Sequence, residues 1–427
     1  LTQARRPIRL TADWVLPIAA PPIRDGAILI GPDGRIEAVG PGPAVPAPPD
    51  AWHHPYPNAA VLPGLVNAHT HLELTGLAGR VDQAEFSHWI RAVRELKAGL
   101  EPEWFVAAAR RGVREAFAAG ITFVYDTGDS GAIFAALTAE GGAGVGYQEA
   151  FGPHPDQVTQ SMAALAEQIA RAQGAAGPRV VVGVSPHAPY TVSAALYRAV
   201  AEWANARGLP MAVHLAESAA ESAFVTEGGG PFGSAWRARA IPPLALQWPE
   251  PAARRSPVAW LDAHGVLGPT TLAIHTVQLD QADIDLLATR QVPIAHCPVS
   301  NRRHRHGDAP LAALRRSGLR VGVGTDSVIS VDRLDLFAEM RAARHLAGLT
   351  AREALSMGTH DAARLLSSAP DFGTLEAGFW ADLAVVDLGP PPPPRPDPEE
   401  GVLAAAPDRV VATYATGRVV YRAGPVT

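Results

Sequence analysis

Val61-Leu62-Pro63-Gly64-Leu65-Val66-Asn67-Ala68-His69-Thr70-His71 is an apolar run that ends in two histidines one residue apart. In extended chain, alternate side chains share a face, so both imidazoles can aim at one point beside the end of a buried strand. Imidazole is the commonest metal-binding side chain, and the pair reads as two ligands of a catalytic metal. Surface loops carry His-x-His pairs too, so this reading depends on what the rest of the chain supplies.

The same arrangement recurs downstream. Residues 180–184 lead into Ser185-Pro186-His187, and residues 211–214 end at His214, followed by Leu215-Ala216-Glu217. Residues 271–273 lead to Ile274-His275, residues 292–295 to His296, and residues 319–323 to Gly324-Thr325-Asp326. Each is a short Val/Ile/Leu/Ala run with a metal-type residue at or just past its C-terminal end. Such runs, followed by amphipathic helical stretches, read as buried parallel strands in repeated βα units. Residues 61–66, 121–126 and 143–148 bring the strand count to eight. Eight units predict a (β/α)8 TIM barrel, whose chemistry sits at the C-terminal ends of its strands. An open doubly wound sheet would want a phosphate-binding Gly-rich turn after an early strand. Gly141-Gly142-Ala143-Gly144 precedes a strand instead.

The 427 residues exceed the roughly 250 that one barrel needs. Near the N-terminus, residues 26–30 and 35–39 flank Gly31-Pro32-Asp33-Gly34, a hairpin signal. Near the C-terminus, residues 381–387 read as a strand, and 409–414 and 418–421 flank a second turn. The two ends therefore predict a small β-sandwich domain formed from both termini, residues 1–58 and 372–427, beside a catalytic barrel over 59–371. The Pro-rich runs 41–49 and 390–398 read as stiff, extended connectors.

A metal of the zinc type takes nitrogen and oxygen ligands and keeps one position open for water. His69, His71, His214 and Asp326 supply such a set, and water held there becomes a nucleophile near neutral pH. Glu217, three residues past His214, could carry a proton from that water to a ring nitrogen. His275 could orient the water, and Asp326 could also accept its proton. Singly, each has a duller account: His214 as a core histidine, Asp326 as a cap, Glu217 as a first-turn carboxylate. Together, on strand ends of one barrel, they form a catalytic constellation. His53, His54, His296, His304 and His306 read as structural. The single lysine, Lys97, lies in a polar-faced helical stretch, 87–100, away from any strand end. That excludes a strand-end Schiff base and a lysine bridge between two metals, so one metal per chain is expected.

In order, Pro63-Gly64-Leu65-Val66-Asn67-Ala68-His69-Thr70-His71-Leu72-Glu73, Ser185-Pro186-His187-Ala188-Pro189-Tyr190, His214-Leu215-Ala216-Glu217, His275-Thr276, His296-Cys297-Pro298-Val299-Ser300-Asn301, Gly324-Thr325-Asp326 and Gly373-Thr374-Leu375-Glu376-Ala377-Gly378 resemble the amidohydrolase superfamily over nearly the whole chain. The branch is that of aminohydrolases and chlorohydrolases acting on nucleobases and related heterocycles. The resemblance implies metal ligands at His69, His71, His214 and Asp326, a proton-shuttling Glu217 and a water-orienting His275. It also implies that His187 faces a purine and ribose, and that the reaction is hydrolytic deamination. Zn2+ is the implied metal, with Fe2+ open. Among adenine-nucleoside deaminases, two groups compete: 6-aminodeoxyfutalosine deaminase of menaquinone biosynthesis, and methylthioadenosine/S-adenosylhomocysteine deaminase. Gln148-Glu149-Ala150-Phe151 stands where the second group carries an arginine, which favours aminodeoxyfutalosine and places Glu149 at the substrate. Trp89 lines the pocket or anchors its helix. The segment 227–257, rich in Gly, Pro and Trp, reads as a lid or a subunit contact, the latter in a homodimer. A barrel that had lost catalysis and served only binding would lack ligands, and none is missing here.

A formal charge of −6, from 36 basic and 42 acidic residues, gives no basic footprint for nucleic acid. Arg302-Arg303-His304-Arg305-His306 is a local exception, read as a solvated loop or as the pocket mouth. No apolar stretch approaches the ~20 residues of a membrane span, and no charged-then-apolar leader is seen. One cysteine, Cys297, suits a reducing compartment and reads as a small buried side chain. A cytoplasmic enzyme with a small nucleoside substrate is the expectation.

Overall fold

The computed structural model describes residues 6–83, 85–248, 255–366, 370–390 and 397–424. Four strands come first: β1 (Ile8–Val15), β2 (Ile23–Ile30), β3 (Ile36–Pro41) and β4 (Trp52–Pro63). Eight more follow: β5 (Leu65–Thr70), β6 (Ile121–Gly128), β7 (Ala143–Ala150), β8 (Val180–Pro186), β9 (Met211–Leu215), β10 (Thr271–His275), β11 (Ile294–His296) and β12 (Val321–Val323). The chain closes with β13 (Leu383–Asp387), β14 (Val410–Ala415) and β15 (Arg418–Arg422).

Both termini build one seven-stranded sheet, in the order β15-β14-β13-β4-β1-β2-β3. β1 runs parallel to β4, and the other pairs are antiparallel. Ala381 N–H donates to Gly34 O in the β2–β3 turn, and its carbonyl accepts from Gly417 N–H in the β14–β15 turn, both at 2.9 Å. The sheet thus curls until its outer hairpins meet, over a core that includes Leu10, Val15, Ile28, Leu383 and Tyr414. Both expected hairpins are present; β1 and most of β4 had no counterpart among the expected strands. Pro55 and Pro57 disguise β4. β13 pairs only with residues 59–63, so those prolines lie where β4 has one neighbour and their missing N–H groups are tolerated.

β5 to β12 form the eight-stranded sheet in strict sequence order, with parallel pairing between successive strands from β7 to β12. Most of these strands are buried along their whole length, as strands covered on both faces must be. The sheet closes just past β12, where Asp326 N–H donates to His69 O at 3.0 Å. The run 61–66 corrects the expected first strand. Its front half ends β4, and the barrel strand starts at Leu65. Gly64 divides them: a Cβ there would collide with Thr122, and its N–H donates to Asp382 O at 2.8 Å.

Leu1–Asn67, Val113–Val124 and Leu334–Thr427 group into one compact unit, and Ala68–Gly112 with Tyr125–Arg333 into another. Every residue singled out above for metal, proton transfer or substrate lies in the second. Between residues 227 and 257 the chain forms the helix Gly230–Ala238 and the turn Leu244–Gln247; residues 249–254 lie outside the described part, as do 391–396 of the second Pro-rich run. Among the described residues no helix is long and apolar enough to cross a membrane.

Gly324 sits at the seam, where a Cβ would strike the backbone of His69. Backbone cannot rotate away, so Gly324→Ala should cost about 1–3 kcal/mol, as overpacking does, and should lower bound metal together with stability. Denaturant unfolding and metal analysis of the variant check this; wild-type values for both would remove the seam from the account.

Candidate metal-binding catalytic site

Three imidazoles converge inside the barrel mouth. His69, His71 and His214 each bring one ring nitrogen within 4.8 Å of the other two. Asp326 Oδ1 lies 3.5 Å from Nε2 of both His69 and His71. The backbone aims these groups: Asp326 has φ 62° and His275 φ 73°, left-handed conformations that are unusual for such residues and turn their side chains off the ends of short strands. His214 Nδ1 is held by His187 O at 3.1 Å, which leaves Nε2 to face the centre. Asp326 accepts from Ser300 Oγ–H at 2.6 Å and from Ser327 N–H at 2.7 Å.

The charge states suit a cation. Burial drives the His71 imidazole down to about 3, with the neighbouring His69 adding to the effect. Burial likewise lowers His69 and takes His214 well below its usual value. Metal ligands must be deprotonated, and these three are. Burial alone would raise the Asp326 carboxyl, but the hydrogen-bonding contact with His69 outweighs it and holds it well below the carboxylate range. Three neutral nitrogens and one carboxylate around one point fit a divalent ion of the zinc class. Glu149, His187 and His214 form a second close trio. With Nδ1 of His214 engaged, the two trios compete for its one remaining nitrogen.

Glu217 stands beside this set, buried, with Oε1 3.6 Å from His275 Nε2. His275 Nδ1 pairs with Asn301 Oδ1 at 2.9 Å, which orients the ring. Burial would raise the Glu217 carboxyl, but His275 and then His306 outweigh it and hold it down to about 2. Glu221 shapes the turn before it, accepting from Ala216 N–H at 2.8 Å and Glu217 N–H at 2.9 Å.

A cavity of 880 Å³ opens over these groups, and His71, Glu149, His187, His214, Glu217, His275, Asp326 and Trp89 all line it. His187 Nδ1 pairs with Thr191 Oγ1 at 2.9 Å, and burial lowers its imidazole to about 4. Burial, reinforced by Asp129, pushes the Glu149 carboxyl well up. One wall is apolar: Phe86, Trp89, Ile90, Val93, Phe105 and Phe151. Trp89 is half-buried on helix α1 (Phe86–Ala98), its ring 4.6 Å from that of His304.

Two groups at the site escaped the sequence reading. Lys97 does lie on a helix, but its Nζ reaches Glu73 at 2.8 Å and Asp129 at 2.6 Å and lines the cavity. His306, read as structural, puts Nε2 3.2 Å from Glu217 Oε1. The arginines around it are exposed while His306 is buried, an alternation that the motif contained. His296 is buried against His275 O at 3.3 Å, Cys297 is buried, and His54 belongs to the terminal sheet beside Tyr414.

The chain is 30% identical to a 5-methylthioadenosine/S-adenosylhomocysteine deaminase of Moorella thermoacetica, over 96% of this chain and 93% of the relative. Its fold matches an adenosine deaminase from Xanthomonas campestris solved with bound zinc, at a TM-score of 0.81 and 27% identity over 96% and 92% of the two chains. The Helicobacter pylori aminofutalosine deaminase shares the fold at a TM-score of 0.80 and 20% identity, over 97% of this chain and 100% of that one. The amidohydrolase family model matches residues 60–420, and the chain belongs to the amidohydrolase family.

Proposed function

We propose that this protein is a metal-dependent hydrolase that deaminates an adenine nucleoside. The carrying observation is Glu217: an ionised, buried carboxylate facing His275, beside the converging His69, His71, His214 and Asp326. Relatives named as deaminases of methylthioadenosine, S-adenosylhomocysteine and 5′-deoxyadenosine at 30% identity support the same reaction.

A Zn2+ or Fe2+ ion held by His69, His71, His214 and Asp326 would supply Lewis acidity and bring the ionisation of a water molecule near neutral pH. The chain's own groups do the rest. Glu217 takes one proton from the attacking water and delivers it to the purine ring nitrogen next to the 6-carbon. His275, locked by Asn301, orients that water. The tetrahedral carbon then collapses, the C–N bond breaks, and the amino group leaves as ammonia with the second proton. His187 and Glu149 face the nucleoside, the first with its outer nitrogen, the second with its carboxyl.

For the substrate we favour 6-aminodeoxyfutalosine, and with it a place in menaquinone biosynthesis. The 880 Å³ cavity and its wall of Phe86, Trp89, Ile90, Val93, Phe105 and Phe151 suit a nucleoside with a bulky, largely apolar substituent. The stretch Gln148-Glu149-Ala150-Phe151 brings no arginine to the end of β7 to meet an amino-acid carboxylate, and the Gln148 side chain is turned to Asp129 O at 2.8 Å. The contrary reading, S-adenosylhomocysteine or methylthioadenosine, is favoured by the relatives' names; Arg94 and Arg239, which bring cations to the cavity from other elements, suit any substrate that carries a carboxylate.

Three measurements test these steps. Purified protein should hold close to one transition-metal ion per chain, lost in His214→Ala and Asp326→Asn; a pair of ions bridged by a protein ligand would overturn the mononuclear site. Glu217→Gln should keep metal and fold yet lower turnover about 10²-fold or more, the scale of general acid–base catalysis. Near-normal ammonia release from that variant would take Glu217 out of the mechanism. For the substrate, kcat/KM measured side by side should be higher for 6-aminodeoxyfutalosine than for S-adenosylhomocysteine or methylthioadenosine, and the reverse order would transfer the assignment.

A further inference from the structure

Glu217 meets two imidazoles, and the mechanism above uses one. His306 Nε2 lies 3.2 Å from Glu217 Oε1, closer than the 3.6 Å of His275 Nε2 to the same oxygen. Both side chains are almost wholly buried, His306 at 3% and Glu217 at 5% exposure. His306 is itself firmly held. Its N–H donates to Asn301 O at 2.8 Å, and its carbonyl accepts from Gln278 Nε2–H. The ring of Phe86 meets it edge-on at 4.5 Å, and His304 stacks on it at 5.5 Å.

We propose that His306 is a positioning residue for proton transfer: it anchors Oε1 of Glu217, so that Oε2 is the oxygen that takes and returns the proton. A glutamate side chain on a loop has three rotatable bonds, and a shuttle must hold one rotamer while its charge comes and goes. His275 cannot hold it alone, because it is turned by Asn301 to serve the water. With His306 on Oε1, the carboxylate keeps one oxygen fixed and presents the other to water and ring nitrogen in turn. The 3.2 Å approach is close but not an aligned hydrogen bond, a separation that a small rotation of either side chain closes. The residue sits behind the carboxylate, against α1, and does not line the cavity among the residues that do. It therefore acts through Glu217 and not on the substrate.

This inference rests on Glu217 being the shuttle, and the test separates the two. His306→Phe keeps the ring packing against Phe86 and removes the N–H; His306→Gln restores an N–H near the same place. Crystal structures of the metal-loaded variants should show Glu217 in its wild-type rotamer in His306→Gln and swung away in His306→Phe. Metal content should stay at the wild-type level in both. On the nucleoside that the wild type turns over, kcat should fall about 10- to 100-fold in His306→Phe with KM within about threefold, and His306→Gln should recover most of it, the range of a misaligned acid–base group. A wild-type enzyme that released no ammonia from any purine nucleoside would sink the deaminase reading, while the rotamer comparison would still decide this one. Glu217 unmoved in His306→Phe, or equal loss of turnover in both variants, overturns the anchoring role.

Discussion

The seam between the last and first barrel strands governs everything at the site. Asp326 N–H donates to His69 O at 3.0 Å, and that bond ties a carboxylate after β12 to an imidazole on β5. The candidate ligands come from β5 and the end of β12, on either side of that seam, and from β9, which the sheet order places away from it. They converge only if the sheet closes. Gly324 allows the closure because it brings the backbone of β12 against that of His69 with no side chain between. Closure then buries the donors, and burial makes the imidazoles neutral. One backbone hydrogen bond thus links chain topology to the charge state that a metal requires.

Burial has the opposite consequence for the acids, and the structure answers it case by case. Asp326 and Glu217 stay ionised because imidazoles and hydrogen-bond donors face them. Glu221, with two backbone N–H groups but also the like charge of Glu217, is pushed up to about 8, burial being the largest cause. Glu149 has burial and Asp129 against it and is pushed well up. Carboxyls around one site are therefore shifted in opposite directions, the arrangement by which one site can run acid and base chemistry together. Lys97 completes the balance. Burial would lower its ammonium, but Glu73 and Asp129 outweigh that and raise it, so the sole lysine stays charged and pins α1 to the loop after β6.

The barrel was legible in the chain because its strands are covered on both faces and so read as continuous apolar runs, each closed by a polar residue. His69, His71, His214, His275 and Asp326 were legible for the same reason, since their position at strand ends is a local property. β1 and β4 were not. Their partners are far away in sequence, and Pro55 and Pro57 look like breakers until the one-sided pairing of β4 is known. The break at Gly64 was hidden inside an unbroken apolar run, because only the nearness of Thr122 demands it. Lys97 and His306 were missed because a helix and a loop carry them. Their roles depend on where those elements lie over the barrel mouth, which no local period encodes.

That division by element has a chemical counterpart. The groups proposed to act on the reacting atoms sit at or just past strand ends, where the sheet fixes them. The groups that hold or select sit on what covers the strands: Ser300, Asn301 and His306 after β11, Trp89, Arg94 and Lys97 on α1, Arg239 past the helix Gly230–Ala238. Covering segments can change without disturbing closure of the sheet, whereas the strand-end donors cannot. Substrate choice is therefore written in the cover, in the contest between an apolar wall from α1 and the two arginines beside it. The reaction is written in the seam. His306 belongs to both, since its ring packs on Phe86 of α1 while its Nε2 faces Glu217, the proposed proton shuttle. A change in how α1 sits would reach Glu217 through that single ring.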